Sequence, residues 1–149
     1  MRTVYLQPPN QADPPSPYRT GEAGGIWLSE AGGLETDVRV QLSANSTHAL
    51  IGHGVVEELN QLPLEGRLGE GHQVVLPPAV LDAAARVFSE ADRNTYGGSW
   101  EFVAGVVASP QPAEYRLRID NREYQVTLAR LRYLLSMASR EGHAAWLRI

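Results

Sequence analysis

The sequence predicts an α+β fold, with a mostly antiparallel sheet built from hairpins and two main helices packed on it. Several short segments alternate polar and apolar residues, as half-buried strands do. Two segments, at about 78–92 and 128–141, instead carry apolar stripes at helical spacing. Strands and helices do not alternate regularly, which argues against a parallel α/β sheet. The length of 149 residues fits a single domain spanning 1–149.

The residue pattern of the N-terminal third predicts one short strand, a connector and a hairpin. Thr3–Leu6 is the strand, and the Pro/Gly-rich segment at about 7–25 is expected to be extended. Ile26–Glu30 and Thr36–Leu42 follow as two antiparallel strands, with Gly32-Gly33 supplying the turn.

The middle of the chain predicts a glycine turn, further strands and the first main helix. Gly52-His53-Gly54 is expected to turn the backbone into a short helix at Val55–Leu62. His72–Leu76 is β-branched and reads as a strand, and the helix at 78–92 starts with a proline in its first turn. Ser99–Val107 is the next predicted strand.

The segment EYRLRIDNREYQVTL predicts a hairpin with a two-residue turn at Asp120-Asn121, because both residue types tolerate positive φ. This register predicts four cross-strand pairs, two on the core face and two on the outer face. They are Leu117 with Tyr124, Tyr115 with Val126, Arg118 with Glu123, and Arg116 with Gln125.

The last segment predicts a helix and a closing strand. Thr127 is expected to cap the helix at 128–141, and Gly142 stands where a C-terminal cap belongs. The terminal HAAWLRI is expected to be an edge or returning strand.

Over Ala79–Met137, the order of helix, linker, Y-x-L-x-I-D-N hairpin and Leu-rich helix loosely resembles the emfourin-type inhibitors of bacterial metalloproteases. The residues that carry this resemblance are Tyr115, Leu117, Ile119, Asp120 and Val126. We assign no family from it, but it keeps inhibitors among the candidate functions.

Composition excludes several chemistries. The chain has no cysteine, so disulfides, thiolate catalysis and iron–sulfur clusters are excluded. All 13 basic residues are arginine, which excludes Schiff-base lysines and a lysine-dependent phosphate loop. The glycines near His53 lack the third glycine of a dinucleotide fingerprint, since position 57 is Glu.

The main candidate binding surface is a group of arginines and tyrosines near the C-terminus. Residues 113–149 hold seven arginines and four acids, although the whole chain has a net charge of −4. Such a surface suits an acidic protein partner, whereas the acidic overall charge argues against nucleic acid. The predicted partner-binding residues are Tyr115, Arg116, Arg118, Arg130, Arg132 and Tyr133.

An alternative site involves His53 and Glu57, which would share a face if one helix held both. They are the candidates for proton transfer or metal binding in a small enzyme or ligand-binding domain. We expect neither cofactor nor metal, because four scattered histidines are ordinary for this length.

We therefore expect a small cytoplasmic, non-catalytic protein of immunity, inhibitor or accessory type, which binds one protein partner through its C-terminal hairpin and helix. A cytoplasmic location is expected because the sequence shows neither a signal peptide nor an apolar run that could cross a membrane. The open alternatives are the His53 pocket and, less favoured, association with nucleic acid through the arginines.

Overall fold

The computed structural model describes residues 2–6, 25–29, 35–108 and 110–149. It confirms the α+β class. Most of the Pro/Gly-rich segment predicted at 7–25, and the predicted turn at Gly32-Gly33, lie outside the described residues. None of the described helices combines the length and the apolar character that crossing a membrane requires.

Seven strands and four α-helices make up the described fold. The strands are β1 (Arg2–Leu6), β2 (Gly25–Ser29), β3 (Glu35–Gln41), β4 (Gln73–Leu76), β5 (Ser99–Val107), β6 (Ala113–Asp120) and β7 (Ala144–Arg148). The helices are α1 (Ala44–Gly52), α2 (Val55–Asn60), α3 (Leu81–Arg93, preceded by a 3-10 turn at Pro78–Val80) and α4 (Asn121–Glu141).

The strands form two sheets rather than the single sheet expected from the sequence. The first has the order β1-β6-β5, in which β1 runs parallel and β5 antiparallel to β6. The second has the order β3-β2-β7-β4 and is antiparallel throughout. The predicted pairing of β2 with β3 is therefore confirmed, and the C-terminal strand lies inside the second sheet, between β2 and β4.

The predicted C-terminal hairpin is wrong, because α4 begins at the residue where its turn was expected. The carboxylate of Asp120 accepts a hydrogen bond from the backbone N–H of Glu123 at 3.1 Å, which is an N-cap. The segment after Asp120 alternates polar and apolar residues, but Tyr124 and Leu128 also keep the i, i+4 spacing of a helix face. Both side chains are fully buried, so core packing decides in favour of the helix.

The antiparallel partner of β6 is consequently β5. Leu117 lies opposite Phe102, and Arg118 lies opposite Glu101 rather than Glu123. None of the four predicted cross-strand pairs forms. Thr127, the predicted cap, lies inside α4, whereas Gly142 ends this helix with a φ of 71° as predicted.

Helix α4 is the centre of the molecule. It packs along α3 and also contacts α1 and strands of both sheets. Its buried face carries Leu128, Leu131 and Leu135 into the core. In the same interior, the Ser46 hydroxyl of α1 donates a hydrogen bond of 2.9 Å to the Thr127 hydroxyl of α4. One face of α4 is thus fixed by packing, whereas Val126 and Tyr133 of the same helix are exposed.

Candidate functional site

The six predicted partner-binding residues lie on two elements. Tyr115, Arg116 and Arg118 belong to β6, and Arg130, Arg132 and Tyr133 belong to α4. Side chains alternate along β6, and Leu117 is buried among the core residues. Arg116 and Arg118 therefore face away from the core and from α4, and the six residues do not form one surface.

The arginines of β6 are already paired with acids of their own sheet. Nη2 of Arg118 lies 2.7 Å from Oε1 of Glu101, and Nε of Arg116 lies 2.8 Å from Oε1 of Glu114. These pairs balance the positive charge on the outer face of the sheet. Tyr115 is half-buried on the opposite, core-facing side.

Arg132 is engaged within the molecule as well. Its Nη2 lies 3.5 Å from Oδ2 of Asp92, and its Nη1 donates to the Ser89 hydroxyl at 3.4 Å. Both partners belong to α3, so Arg132 connects the two packed helices. These contacts give Arg132 a structural role, because its charge is already paired within the molecule.

Arg130 and Tyr133 line an open, almost wholly apolar groove of about 460 Å³ on α4. Tyr133 is 67 % exposed and Val126 is 48 % exposed, which is unusual for two apolar side chains so close on one helix. The residues that line the groove are Val40, Val126, Ala129, Arg130, Tyr133, Leu134 and Met137.

Four of these residues form a second apolar face on α4, beside the buried one. We call this set the α4 stripe; its members are Val126, Ala129, Tyr133 and Met137. Steps of three and four residues separate them, so they follow one side of the helix. Val126 and Tyr133 of the stripe are exposed, whereas Met137 is half-buried against the core.

Exposed arginines mark both ends of the stripe. Arg122 and Arg140 are 18 residues apart, which is about five helical turns, so they project from the same side of α4. Within the described ranges, no carboxylate lies at ion-pair distance from Arg122, Arg130 or Arg140. In this they differ from Arg116 and Arg118 of β6, which pair with Glu114 and Glu101.

The alternative site residues His53 and Glu57 lie on different elements. His53 follows the end of α1, and Gly54 then turns the chain with a φ of 78° before α2 begins. Glu57 is exposed on α2, where Oε1 lies 3.5 Å from Nη2 of Arg67. The shared helical face that would make them joint ligands is therefore not formed. No group of three potential metal ligands occurs among the described residues.

His53 is nevertheless in an unusual environment. Its ring stacks on Trp100, and burial lowers its pKa below the usual 6.5. Nε2 of His53 and the hydroxyl of Tyr124 are both buried, and neither has a hydrogen-bond partner in the described part of the chain. Burial, with the negative charges of Asp92 and Glu58, raises the pKa of Tyr124.

A small cavity of about 60 Å³ lies beside His53. Its polar walls come from His53, Glu58, Glu90 and Asn94, and its apolar walls from Val55 and Ala91. This volume suits one or two water molecules, whereas sites for drug-sized ligands measure roughly 300–1,000 Å³. The arrangement can hold water or a very small polar group.

Comparisons with known protein families, with curated proteins and with solved structures found no significant match.

Sequence reasoning named two residues of the groove, Arg130 and Tyr133, but missed the stripe and the arginine at its N-terminal end, Arg122. Val126 was assigned to the core side of a strand that does not form. Its spacing to Ala129, Tyr133 and Met137 is the signal that could have revealed the stripe, because it extends the helical pattern of 128–141 back into the predicted second strand.

Proposed function

We propose that this chain is a non-catalytic binding protein that docks on one protein partner through the α4 stripe. The observation that carries the proposal is the exposure of Tyr133 and Val126 above an apolar groove of about 460 Å³. An inhibitor, an immunity protein and an accessory protein would each use such a surface, since all three act by binding.

The chemistry of the surface supports this function. Burial of apolar area contributes about 25 cal/mol per Å², so covering Tyr133, Val126 and the groove stabilises a complex. Tyrosine and arginine are also the residue types that most often dominate binding energy at protein interfaces. Tyr133 and Arg130 lie side by side in the groove lining and would be the anchors.

The proposed surface is narrower than the one expected from the sequence. Arg116, Arg118 and Arg132 have acidic partners within 4 Å in the folded chain. Exchanging these acidic partners for those of another protein would add little to the free energy of binding, because an exposed ion pair contributes at most about 1 kcal/mol. The proposal therefore rests on α4 alone.

The test is an affinity purification from native lysate that compares three proteins. These are the wild-type chain, the double variant V126S/Y133S and the control Y96S. Tyr96 is 78 % exposed and is not a member of the stripe, so Y96S removes an exposed tyrosine elsewhere. Its contact with α4 is made by the backbone carbonyl, which this variant keeps. We expect one stoichiometric partner that is retained by wild type and Y96S and lost from V126S/Y133S. A partner that V126S/Y133S retains at wild-type yield would contradict the proposal.

A second candidate function is the binding of a small polar ligand at His53. It is favoured by one observation, the unpartnered Nε2 of His53 next to a polar cavity. Glu58 and Glu90 give the cavity negative charge, so methylammonium is a suitable probe. We expect the ¹⁵N resonances of the His53 ring to shift with methylammonium chloride and not with sodium chloride. Identical responses to both salts would remove this candidate.

A further inference from the structure

We infer, on the basis of the proposed function, that the partner presents to the α4 stripe an amphipathic helix with acidic side chains near both ends. Two features carry this inference: the spacing of the apolar residues in the stripe, and the arginines at its ends.

The spacing of the stripe fits another helix. Its members repeat every three or four residues, which is about 5.4 Å along α4. A packed helix offers ridges with the same repeat, so its side chains can interdigitate with those of the stripe over several turns. Side chains on one face of an extended strand recur every 6.6–6.8 Å, roughly, and lose register with the stripe after two or three contacts.

The charges define what such a helix must carry. Arg122 and Arg140 are separated by about 27 Å along α4, and Arg130 stands between them on the groove wall. None of the three has a carboxylate partner among the described residues. A helix of five or six turns with Asp or Glu near each end would satisfy the outer two arginines while its apolar face covers Tyr133.

The same charges disfavour a second copy of this chain as the occupant. If two α4 helices packed antiparallel, Arg122 of one chain would lie beside Arg140 of the other. If they packed parallel, each arginine would meet its own equivalent. Both arrangements bring like charges together at both ends of the interface and therefore oppose self-association.

The test is a selection from a displayed library of 21-residue helical peptides with randomised surface positions, using the intact protein as bait. We expect the enriched peptides to carry apolar residues at steps of three and four, with Asp or Glu near both ends. The charge-reversed bait R122E/R140E should instead enrich Lys or Arg at those end positions. The control bait R86E/R93E changes the net charge equally on α3 and should enrich the same acidic peptides as wild type.

Affinity measurements on one enriched acidic peptide complete the test. We expect R122E/R140E to weaken its binding by about tenfold or more, and R86E/R93E by less than about threefold. Circular dichroism confirms that both variants remain folded.

The outcomes separate this inference from the proposed function. Peptides that depend on Tyr133 but show no acidic preference, or that alternate with a period of two, would overturn the acidic helix and leave the proposed function standing. A wild-type dimer that Y133S abolishes would also overturn it, since a second copy would then be the occupant. If no peptide and no lysate protein depends on Tyr133, both the inference and the proposed function fail.

Discussion

The imidazole of His53 stacks on the indole of Trp100, with ring centroids 3.8 Å apart and planes inclined by 21°. The ring of Tyr124 is nearly parallel to that of His53, at 5.5 Å and 4°. This stack joins the end of α1, strand β5 and helix α4, which are distant in sequence. The protonation of His53 is therefore coupled to the packing of three separate elements.

Acidification should destabilise the protein through His53. Burial lowers the pKa of His53, and also that of His48, below the usual value of 6.5. As the pH falls through about 6.5, the unfolded chain takes up protons before the folded chain does, and the free energy of unfolding decreases. The loss is absent above that pH and is complete below the folded-state pKa. Urea titrations at pH 7, 6 and 5 should show this decrease.

The variant His53→Gln should make the pH dependence shallower, since it removes one of the two responsible groups. His72→Gln is the matched control, because the side chain of His72 is 75 % exposed. An unchanged slope in His53→Gln would show that His53 does not contribute to the loss.

Removing the hydroxyl of Tyr124 should be neutral or stabilising. The hydroxyl is buried without a hydrogen-bond partner in the described chain, and such a group costs about 1–3 kcal/mol. We expect Tyr124→Phe to leave the free energy of unfolding unchanged or to raise it by about 1 kcal/mol. Tyr124→Ala should lower it by about 3–5 kcal/mol, because the ring fills the core. A large loss in Tyr124→Phe would mean that the hydroxyl has a bound water as partner.

A methyl group at residue 52 should be destabilising, although alanine favours helices. A Cβ atom added to Gly52 would lie 2.7 Å from Cε1 and 2.8 Å from Cζ of Phe102. Phe102 stacks on Trp100 at 4.8 Å, so moving its ring disturbs the aromatic stack. We expect Gly52→Ala to cost about 1–3 kcal/mol in chemical denaturation.

Two comparisons test this steric explanation. Gly98→Ala should change stability by less than about 0.5 kcal/mol, because a Cβ there meets open space. Adding Phe102→Leu to Gly52→Ala should recover part of the loss. If Phe102→Leu is equally costly in the wild-type chain and in the Gly52→Ala variant, the clash is not the cause.

The cap of α4 should be worth a measurable part of the stability. Asp120→Ala removes the carboxylate that accepts the N–H of Glu123, and we expect a loss of about 1 kcal/mol. Asp120→Asn keeps a side-chain oxygen at the cap and should lose much less. Equal losses in the two variants would assign the effect to charge and not to the cap.

The buried hydroxyl pair of Ser46 and Thr127 should behave cooperatively. Each of Ser46→Ala and Thr127→Val leaves the other hydroxyl without its partner, at a cost of about 1–3 kcal/mol. The double variant should cost less than the two single losses together, by about 0.5–1.5 kcal/mol. Strictly additive losses would show that the hydroxyls do not depend on each other.

Most elements of the fold could be predicted from local patterns. The strands at β2, β3, β4 and β5 and the helix α3 lie close to the predicted ranges, because each has one clear periodicity or a glycine boundary. Helix α1 and the division into two sheets were not predicted. The main local error lies after Asp120, where the residues fit both a strand and a helix. Only the burial of Tyr124 and Leu128 against the rest of the core decides between strand and helix. This burial depends on tertiary contacts, which no local pattern shows.

The candidate site was predicted only in part for the same reason. Arg130 and Tyr133 were identified because they lie in a helix that the sequence predicted. Arg122 and Val126 were assigned to the hairpin, and their place on the helix face depended on the correct start of α4. The ion pairs that engage Arg118 and Arg132 join segments distant in sequence, so no local pattern could reveal them.

Strand β6 continues into α4 without an intervening residue, and this junction is held from two sides. The side chain of Asn45 accepts from the backbone N–H of Asp120 at 2.8 Å and donates to its carbonyl at 3.0 Å. On the other side, the side-chain amide of Asn121 donates to the carbonyl of Tyr96 at 2.7 Å. An inserted residue between Asp120 and Asn121 would leave the Asn45 contacts on Asp120, displace Asn121 from the carbonyl of Tyr96, and rotate the exposed face of α4 by about 100° relative to β6. Insertions should be tolerated better at Gln111, which is exposed between β5 and β6 and does not set the direction of α4. This applies to natural insertions and to an engineered tag or reporter.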